Sequence, residues 1–123
     1  MTRALVITNP AAARTDRDAV RAVERILRRG GWRVDVVLTG GSGDARRYAA
    51  EGVQAGIDVV AVFGGDGTTM QAAAALVGTD VGLGVLPGGT GNLLAGNLRI
   101  PNHPQRAAEL LLQSRPRPFD LGR

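Results

Sequence analysis

The sequence lacks several residue types, and each absence narrows the chemistry open to the protein. Cysteine does not occur among the 123 residues, which excludes disulfides and thiolate metal sites without fixing the compartment. Aromatic residues make up 3%, so a core drawn from the 44% hydrophobic residues must be aliphatic and rich in alanine. No apolar run approaches the roughly 20 residues of a membrane-spanning helix. The run from Ala4 to Ile7 is also shorter than the core of a signal peptide, about 7–15 residues.

These absences and the chain length predict one soluble, cytoplasmic domain, covering residues 1–123. Missing motifs narrow the function as well. Without Gly-x4-Gly-Lys-Ser/Thr the chain is not a P-loop NTPase, and without Gly-x-Ser-x-Gly a serine hydrolase is disfavoured. No basic stripe with interleaved aromatic residues occurs, so we expect no nucleic-acid partner.

Lysine is absent too, so all 15 basic residues are arginines, set against 11 acidic residues for a net charge of +4. Most arginines are expected on solvated helix surfaces. The other interpretation is a basic face for phosphates or for an anionic membrane, which would allow peripheral contact with the inner face of a membrane. The sequence leaves homo-oligomer formation open, because an exposed sheet edge could drive self-association.

Apolar runs alternate with helical patterns along the chain. Strand, helix and glycine signals predict an α/β fold, a three-layer α/β/α sandwich with a mostly parallel sheet. The predicted strands are Leu5 to Thr8, Trp32 to Leu38, Val59 to Phe63 and Val81 to Leu86, with a further one near Phe119 to Leu121. The predicted helices begin near Thr15, Ser42, Met70, Leu93 and Pro104. The second of them carries a stripe of small residues that suits close packing on the sheet: Ala45, Ala49, Gly52, Val53 and Gly56.

Two glycine-rich segments follow predicted strands directly: Gly64 to Thr68 and Pro87 to Asn92. Glycine permits positive φ and removes the Cβ that would hold an anion away from the backbone. A helix N-terminus after such a loop adds partial positive charge. In parallel sheets, ligands bind beyond the carboxyl ends of the strands. The two segments therefore predict a site for a nucleotide phosphate.

Asp66 lies inside the first segment, among backbone donors. Its carboxylate could hold Mg²⁺ through water or accept a proton from an attacking hydroxyl, or simply bond its own backbone. The hydroxyls of Thr68 and Thr90 could donate to phosphate oxygens or cap helices. Asn9 and Thr39 follow strands and could reach the same cleft or only shape a turn, and Asn92 could orient the second segment.

Taken together, Asn9-Pro10, Gly64 to Thr68 and Pro87 to Asn92 resemble the motifs of the diacylglycerol kinase catalytic domain family, which includes bacterial diacylglycerol kinases and sphingosine kinases. The resemblance covers nearly the whole chain. It implies a fold similar to the N-terminal domain of lipid kinases and NAD kinases. It also implies ATP and Mg²⁺ in the cleft, and phosphoryl transfer to a lipid hydroxyl such as that of diacylglycerol.

By motif position, the resemblance implies that Asp66 is the catalytic acidic residue. Its carboxylate would act either as the general base or as a ligand of Mg²⁺ through water. It implies nucleotide contacts from Asn9, Pro10, Thr39, Gly64, Gly65, Asp66, Gly67, Thr68, Gly89, Thr90 and Asn92. The chain departs from the family at Met70-Gln71, where Asn and Glu are common, and at Ala11 to Ala13, which lack the usual Ser-Gly.

Family members continue into a β-rich second domain, which we expect to be absent from these 123 residues. A lipid substrate would need that domain, so the isolated chain is expected to be inactive. Two alternatives remain open at this stage. One is a kinase related to NAD kinase or phosphofructokinase, which share a Gly-Gly-Asp-Gly segment. The other is a non-catalytic nucleotide-binding module.

Overall fold

The computed structural model describes residues 2–9, 17–41, 43–87 and 104–114. Four strands and four helices alternate through most of this part of the chain. The strands are β1 (Arg3–Thr8), β2 (Arg33–Leu38), β3 (Val59–Gly64) and β4 (Gly82–Pro87). The helices are α1 (Arg17–Arg29), α2 (Asp44–Gln54), α3 (Asp66–Leu76) and α4 (Pro104–Ser114).

The four strands form one parallel sheet in the order β2-β1-β3-β4. Hydrophobic side chains alternate between its two faces, because successive side chains of a strand point to opposite sides. Leu5 and Ile7 pack towards α2 and α3, whereas Val6 and Phe63 pack towards α1 and α4. The predicted three-layer α/β/α sandwich with a parallel sheet is therefore confirmed.

Small residues let the helices approach the sheet closely. The inner face of α2 consists of Ala45, Ala49 and Gly52, all buried. A Cβ on Gly52 would lie 3.1 Å from Leu5 Cδ2, tighter than ordinary contact. On the other face, a Cβ on Gly84 would lie 2.6 Å from Leu111 Cδ1. The prediction that α2 packs on the sheet through small residues is confirmed.

Element boundaries differ from the prediction at one important place. We expected the third helix to begin near Met70, but α3 begins at Asp66, directly after Gly65. The segment Gly64 to Thr68 is therefore the end of β3, one connecting residue and the first turn of a helix. The start predicted for α4 at Pro104 is confirmed. The predicted helix near Leu93 and the predicted strand near Phe119 lie outside the described residues.

Candidate functional site

The strand order places a crevice at the carboxyl ends of β1 and β3. The chain passes from β1 outward to β2, and then returns across β1 to β3. Connections from these two neighbouring strands therefore leave in opposite directions, which opens a crevice beyond their carboxyl ends. Asn9 follows β1 at this point, and Gly65 follows β3.

Asn9 and the Gly64 to Thr68 segment meet in this crevice, although 55 residues separate Asn9 from Gly64. The backbone N–H of Asn9 donates to the Phe63 carbonyl oxygen at 3.2 Å. A Cβ placed on Gly64 would lie 3.4 Å from the Asn9 Cβ and 3.5 Å from the Thr68 Cβ. Gly64 thus lies between the two polar side chains, both of which are half-buried.

Asp66, Gly67 and Thr68 form the first turn of α3, and Gly65 is the N-cap residue with φ −85° and ψ 179°. Because the N-cap residue is a glycine, it has no side chain with which to cap this helix end. Backbone N–H groups of a first helical turn lack intrahelical acceptors, and the macrodipole adds partial positive charge there. The turn can therefore accept an anionic ligand. Behind it, buried Thr69 donates its hydroxyl to the Gly65 carbonyl oxygen at 3.1 Å and fixes the turn.

The glycines of this segment act differently from our expectation of positive φ. Among the described glycines, positive φ occurs at Gly31, Gly43, Gly56 and Gly78 only. That part of the expectation is wrong for Gly64, Gly65 and Gly67. What these residues contribute is the missing Cβ: apart from the adjoining backbone, no atom of the described residues lies within 4 Å of a Cβ placed on Gly65 or Gly67. The described part of the chain therefore leaves room at this helix end for another molecule to approach the backbone.

Thr39 is placed beside the same edge of the sheet. Its amide donates to the Thr8 carbonyl oxygen at 2.9 Å, which continues the pairing of β1 and β2 by one residue. The following loop is held by Asp44 at the start of α2. Its carboxylate accepts the Gly40 N–H at 2.7 Å and a guanidinium N–H of Arg47 at 3.2 Å.

These contacts also set the charge of Asp44. The Gly40 N–H lowers the pKa of the carboxyl below its ordinary value, and Arg47 adds to this, while partial removal from water opposes it. Asp44 is thus a carboxylate that stabilises the loop after Thr39. Sequence reasoning overlooked it, although Gly40-Gly41-x-Gly43-Asp44 repeats the pattern of glycines and an acid after a strand.

The described residues therefore bring together Asn9, Gly64, Gly65, Asp66, Gly67 and Thr68, with Thr39 at the neighbouring strand end. Pro10, Gly89, Thr90 and Asn92 lie outside the described residues. Thr8, which the sequence did not single out, has a buried hydroxyl with no hydrogen-bond partner in the described part of the chain.

Asp66 is the acidic residue at the start of α3, where its carboxylate could act as one ligand of a metal ion. Across residues 2–9, 17–41, 43–87 and 104–114, no group of three or more His, Asp or Glu side chains could hold a metal. A closed protein cage for Ca²⁺ or Zn²⁺ is therefore not formed by these residues. Mg²⁺ commonly uses one or two carboxylates and completes its shell with water and substrate phosphates. One carboxylate beside an anion-accepting helix end matches that pattern.

Comparison with known proteins agrees with this geometry. The chain matches the family described as the diacylglycerol kinase catalytic domain over residues 3–123. It is 42% identical over 105 residues to a diacylglycerol kinase of Mycobacterium tuberculosis, covering 83% of this chain and 33% of that protein. It is 38% identical over 113 residues to a Xanthomonas campestris protein named "Probable lipid kinase YegS-like", covering 87% and 37%.

A solved structure shows the same fold. The crystal structure of a diacylglycerol kinase from Bacillus anthracis superposes with a TM-score of 0.81 at 29% identity, covering 90% of this chain and 39% of that one. The chain thus spans about a third of the length of the curated relatives. The match reaches across both strand ends that form the crevice. The chain belongs to the diacylglycerol kinase catalytic domain family.

Proposed function

We propose that this chain is the nucleotide-binding part of a lipid kinase that transfers the γ-phosphate of ATP to a lipid hydroxyl such as that of diacylglycerol. The observation that carries the proposal is the open N-terminal turn of α3, lined by Gly65 and Gly67 and flanked by Asn9 and Thr68. Family membership supports a lipid, rather than NAD or a sugar phosphate, as the acceptor of the γ-phosphate. The second candidate is a nucleotide-binding module without catalysis.

Each residue at the crevice has a distinct proposed role. The N–H groups of the first turn of α3 would bind phosphate oxygens, and the Thr68 hydroxyl would donate to another. The Asn9 side chain would orient the nucleotide from the β1 side, with Thr39 on the β2 side. Phosphoryl transfer depends mainly on positioning and charge stabilisation, so a dense set of donors suits it.

Asp66 is the proposed acidic residue of the reaction. Its carboxylate would hold Mg²⁺ through water or receive the proton of the acceptor hydroxyl. When bound, Mg²⁺ would neutralise charge on the phosphates. Asp66 is half-buried at the first helical position, where the macrodipole favours a negative charge. Both proposed roles use a carboxylate group.

The binding step can be tested with a pair of opposite substitutions in α3. Gly67→Ala adds a methyl group that, apart from the adjoining backbone, would contact no other described residue within 4 Å. It should therefore keep or raise stability, since alanine is favoured over glycine in helices by about 1 kcal/mol. It should nevertheless weaken Mg·ATP binding at least tenfold, because the methyl group occupies the proposed phosphate site. The control, Ala74→Gly at an exposed position in the last turn of the same helix, should lower stability and leave the affinity unchanged.

Calorimetric titration of Mg·ATP and thermal unfolding would be measured for all three proteins, since a ligand that binds the native state raises its melting temperature. The phosphate site is not at α3 if affinity follows stability in both variants, or if the unaltered protein gives no signal at millimolar nucleotide.

Phosphoryl transfer would be assayed separately, with diacylglycerol, NAD and a sugar phosphate as acceptors. Nucleotide binding without transfer, in a form as long as the relatives, would favour the non-catalytic module.

A further inference from the structure

The outward face of α1 carries a regular row of arginines. Arg17, Arg21, Arg25 and Arg29 recur at every fourth residue, and all four are exposed. Residues four apart are neighbours on a helix surface, so the four form one continuous row, which we name the α1 arginine stripe. The opposite face of α1 is apolar, with Val23 and Leu27 buried against the sheet.

This helix carries most of the net positive charge of the protein. The sequence of α1 contains five arginines and two acidic residues, a net charge of +3 against +4 for the whole chain. By contrast, α2 is neutral and α3 carries only Asp66. Within the described residues, the ion pairs are Arg28 with Glu24 and Arg47 with Asp44, so no arginine of the stripe belongs to one.

The fold itself does not account for the stripe. Basic residues near a helix C-terminus interact favourably with the helix macrodipole, which explains why Arg28 and Arg29 occur in the last turn. Arg17 and Arg21 lie in the first half of α1, where a positive charge opposes the dipole. Like charges four residues apart also repel each other. The stripe works against helix stability, so an anionic partner outside the chain is the better explanation.

The surroundings of the stripe suit a lipid surface. Trp32 is half-buried just beyond the end of α1, and Leu110 is 38% exposed on α4, which packs beside α1. Indole rings and aliphatic side chains among cations are typical of surfaces that bind at the membrane–water interface. A shallow depression of about 510 Å³ between Arg21, Glu24, Arg25, Arg28 and Arg29 offers guanidinium groups to a phosphate.

We propose that the α1 arginine stripe, with Trp32, docks the protein onto a bilayer that contains anionic phospholipid. A membrane fits better than a nucleic acid, because α1 lies side by side with α4 and presents a broad face instead of a protruding helix that could enter a groove. None of the described helices is both long and apolar enough to cross a membrane, so the contact proposed is peripheral. The proposal goes beyond phosphoryl transfer and requires no nucleotide.

Two double variants of equal net charge test the proposal. Arg21→Gln with Arg25→Gln removes two charges from the stripe, and Arg46→Gln with Arg47→Gln removes two from exposed positions of α2 on the other face of the sheet. Binding would be measured by co-sedimentation with vesicles of phosphatidylcholine and phosphatidylglycerol, without diacylglycerol or ATP. We expect about 30-fold weaker binding for the stripe variant and little change for the α2 variant.

Trp32 reports which face is bound, because it is the only tryptophan of the chain. Its emission should shift to the blue with anionic vesicles, stay unchanged with pure phosphatidylcholine, and lose the shift at 1 M salt, where the Debye length is about 3 Å. Thermal unfolding would verify that both variants fold.

Four outcomes would overturn the proposal. The first is equal loss of binding in the two double variants, which would mean that net charge alone decides. The second is vesicle binding without a change at Trp32, which would place the contact on another face. The third is tighter binding to duplex DNA or RNA than to vesicles at the same salt concentration, with the same dependence on the stripe, which would identify a nucleic-acid surface. Absence of any binding to anionic vesicles at low salt would also refute it.

Discussion

An aspartate lies at each end of strand β3, and the two have different surroundings. Asp58, just before the strand, is part of the hydrogen bonding that ties three strands together. Its carboxylate accepts the Arg3 N–H at 2.8 Å, its own N–H donates to the Arg3 carbonyl oxygen at 2.8 Å, and its carbonyl oxygen accepts the Gly82 N–H at 3.0 Å. Asp66, just after the strand, begins α3 beside two glycines that face open space.

The amino end of β3 therefore carries contacts that stabilise the fold, whereas the residues proposed for function lie just beyond its carboxyl end. All strands are parallel, so every amino end lies at one edge of the sheet and every carboxyl end at the other. At the amino edge the polar groups bond to one another across strands. At the carboxyl edge, the N-cap residue of α3 is a glycine without a capping side chain, and the described residues leave room for a ligand beside it. We therefore expect substitutions at the two aspartates to give opposite results in assays of stability and activity.

The largest expected effect is on catalysis. Asp66→Asn should lower the rate of lipid phosphorylation about 10²- to 10⁴-fold, because the amide cannot replace a proton-accepting or metal-binding carboxylate. Nucleotide affinity should change far less, since the N–H groups of the helix turn remain. Turnover and calorimetric affinity would be measured in the shortest form of the protein that phosphorylates lipid. Asp58→Asn serves as the control, and near-normal turnover of the Asp66 variant would remove Asp66 from the mechanism.

An intermediate effect is expected at the amino edge, on stability alone. Asp58→Ala removes the acceptor of the Arg3 N–H and should lower the free energy of unfolding by about 1 kcal/mol. Asp58→Asn keeps an acceptor oxygen and should lower the free energy of unfolding by a smaller amount. Urea unfolding should show a lower midpoint with an unchanged slope. Weaker Mg·ATP binding in the alanine variant, under conditions where it is fully folded, would show that the two edges are not independent.

The smallest expected effect concerns Asp44, which is at the carboxyl edge yet makes structural contacts. Its folded-state pKa is lowered, so its contribution to stability is present above the ordinary value of 3.8 and is lost as the pH falls through the folded value. Asp44→Asn should lower the urea midpoint slightly at about pH 6, and the difference should shrink at about pH 3. A difference of equal size at both pH values would mean that the ionised carboxylate contributes nothing.

The sequence predicted the elements of the fold because their signals are local. Alternating apolar runs indicated the four strands, and the small residues of α2 indicated close packing on the sheet. The family motifs also pointed to particular strand ends, since Asn9 directly follows β1 and the Gly64 to Thr68 segment begins at the last residue of β3. The start of α3 was misjudged by four residues, because glycines at positions 65 and 67 look like a loop when only local propensity is considered.

By itself, then, the sequence determined a parallel α/β sheet, glycine-rich segments after its strands and membership of a kinase family, because periodicity and motif spacing are written in neighbouring residues. Only the tertiary structure decided that Asn9 and Thr68 flank Gly64, that Asp44 holds the loop after Thr39, and that the arginine-bearing face of α1 stays exposed while the opposite face packs on the sheet. Those facts depend on the strand order β2-β1-β3-β4 and on which face of each helix packs against the sheet. Both are set by contacts between residues far apart in the chain, which no local pattern encodes.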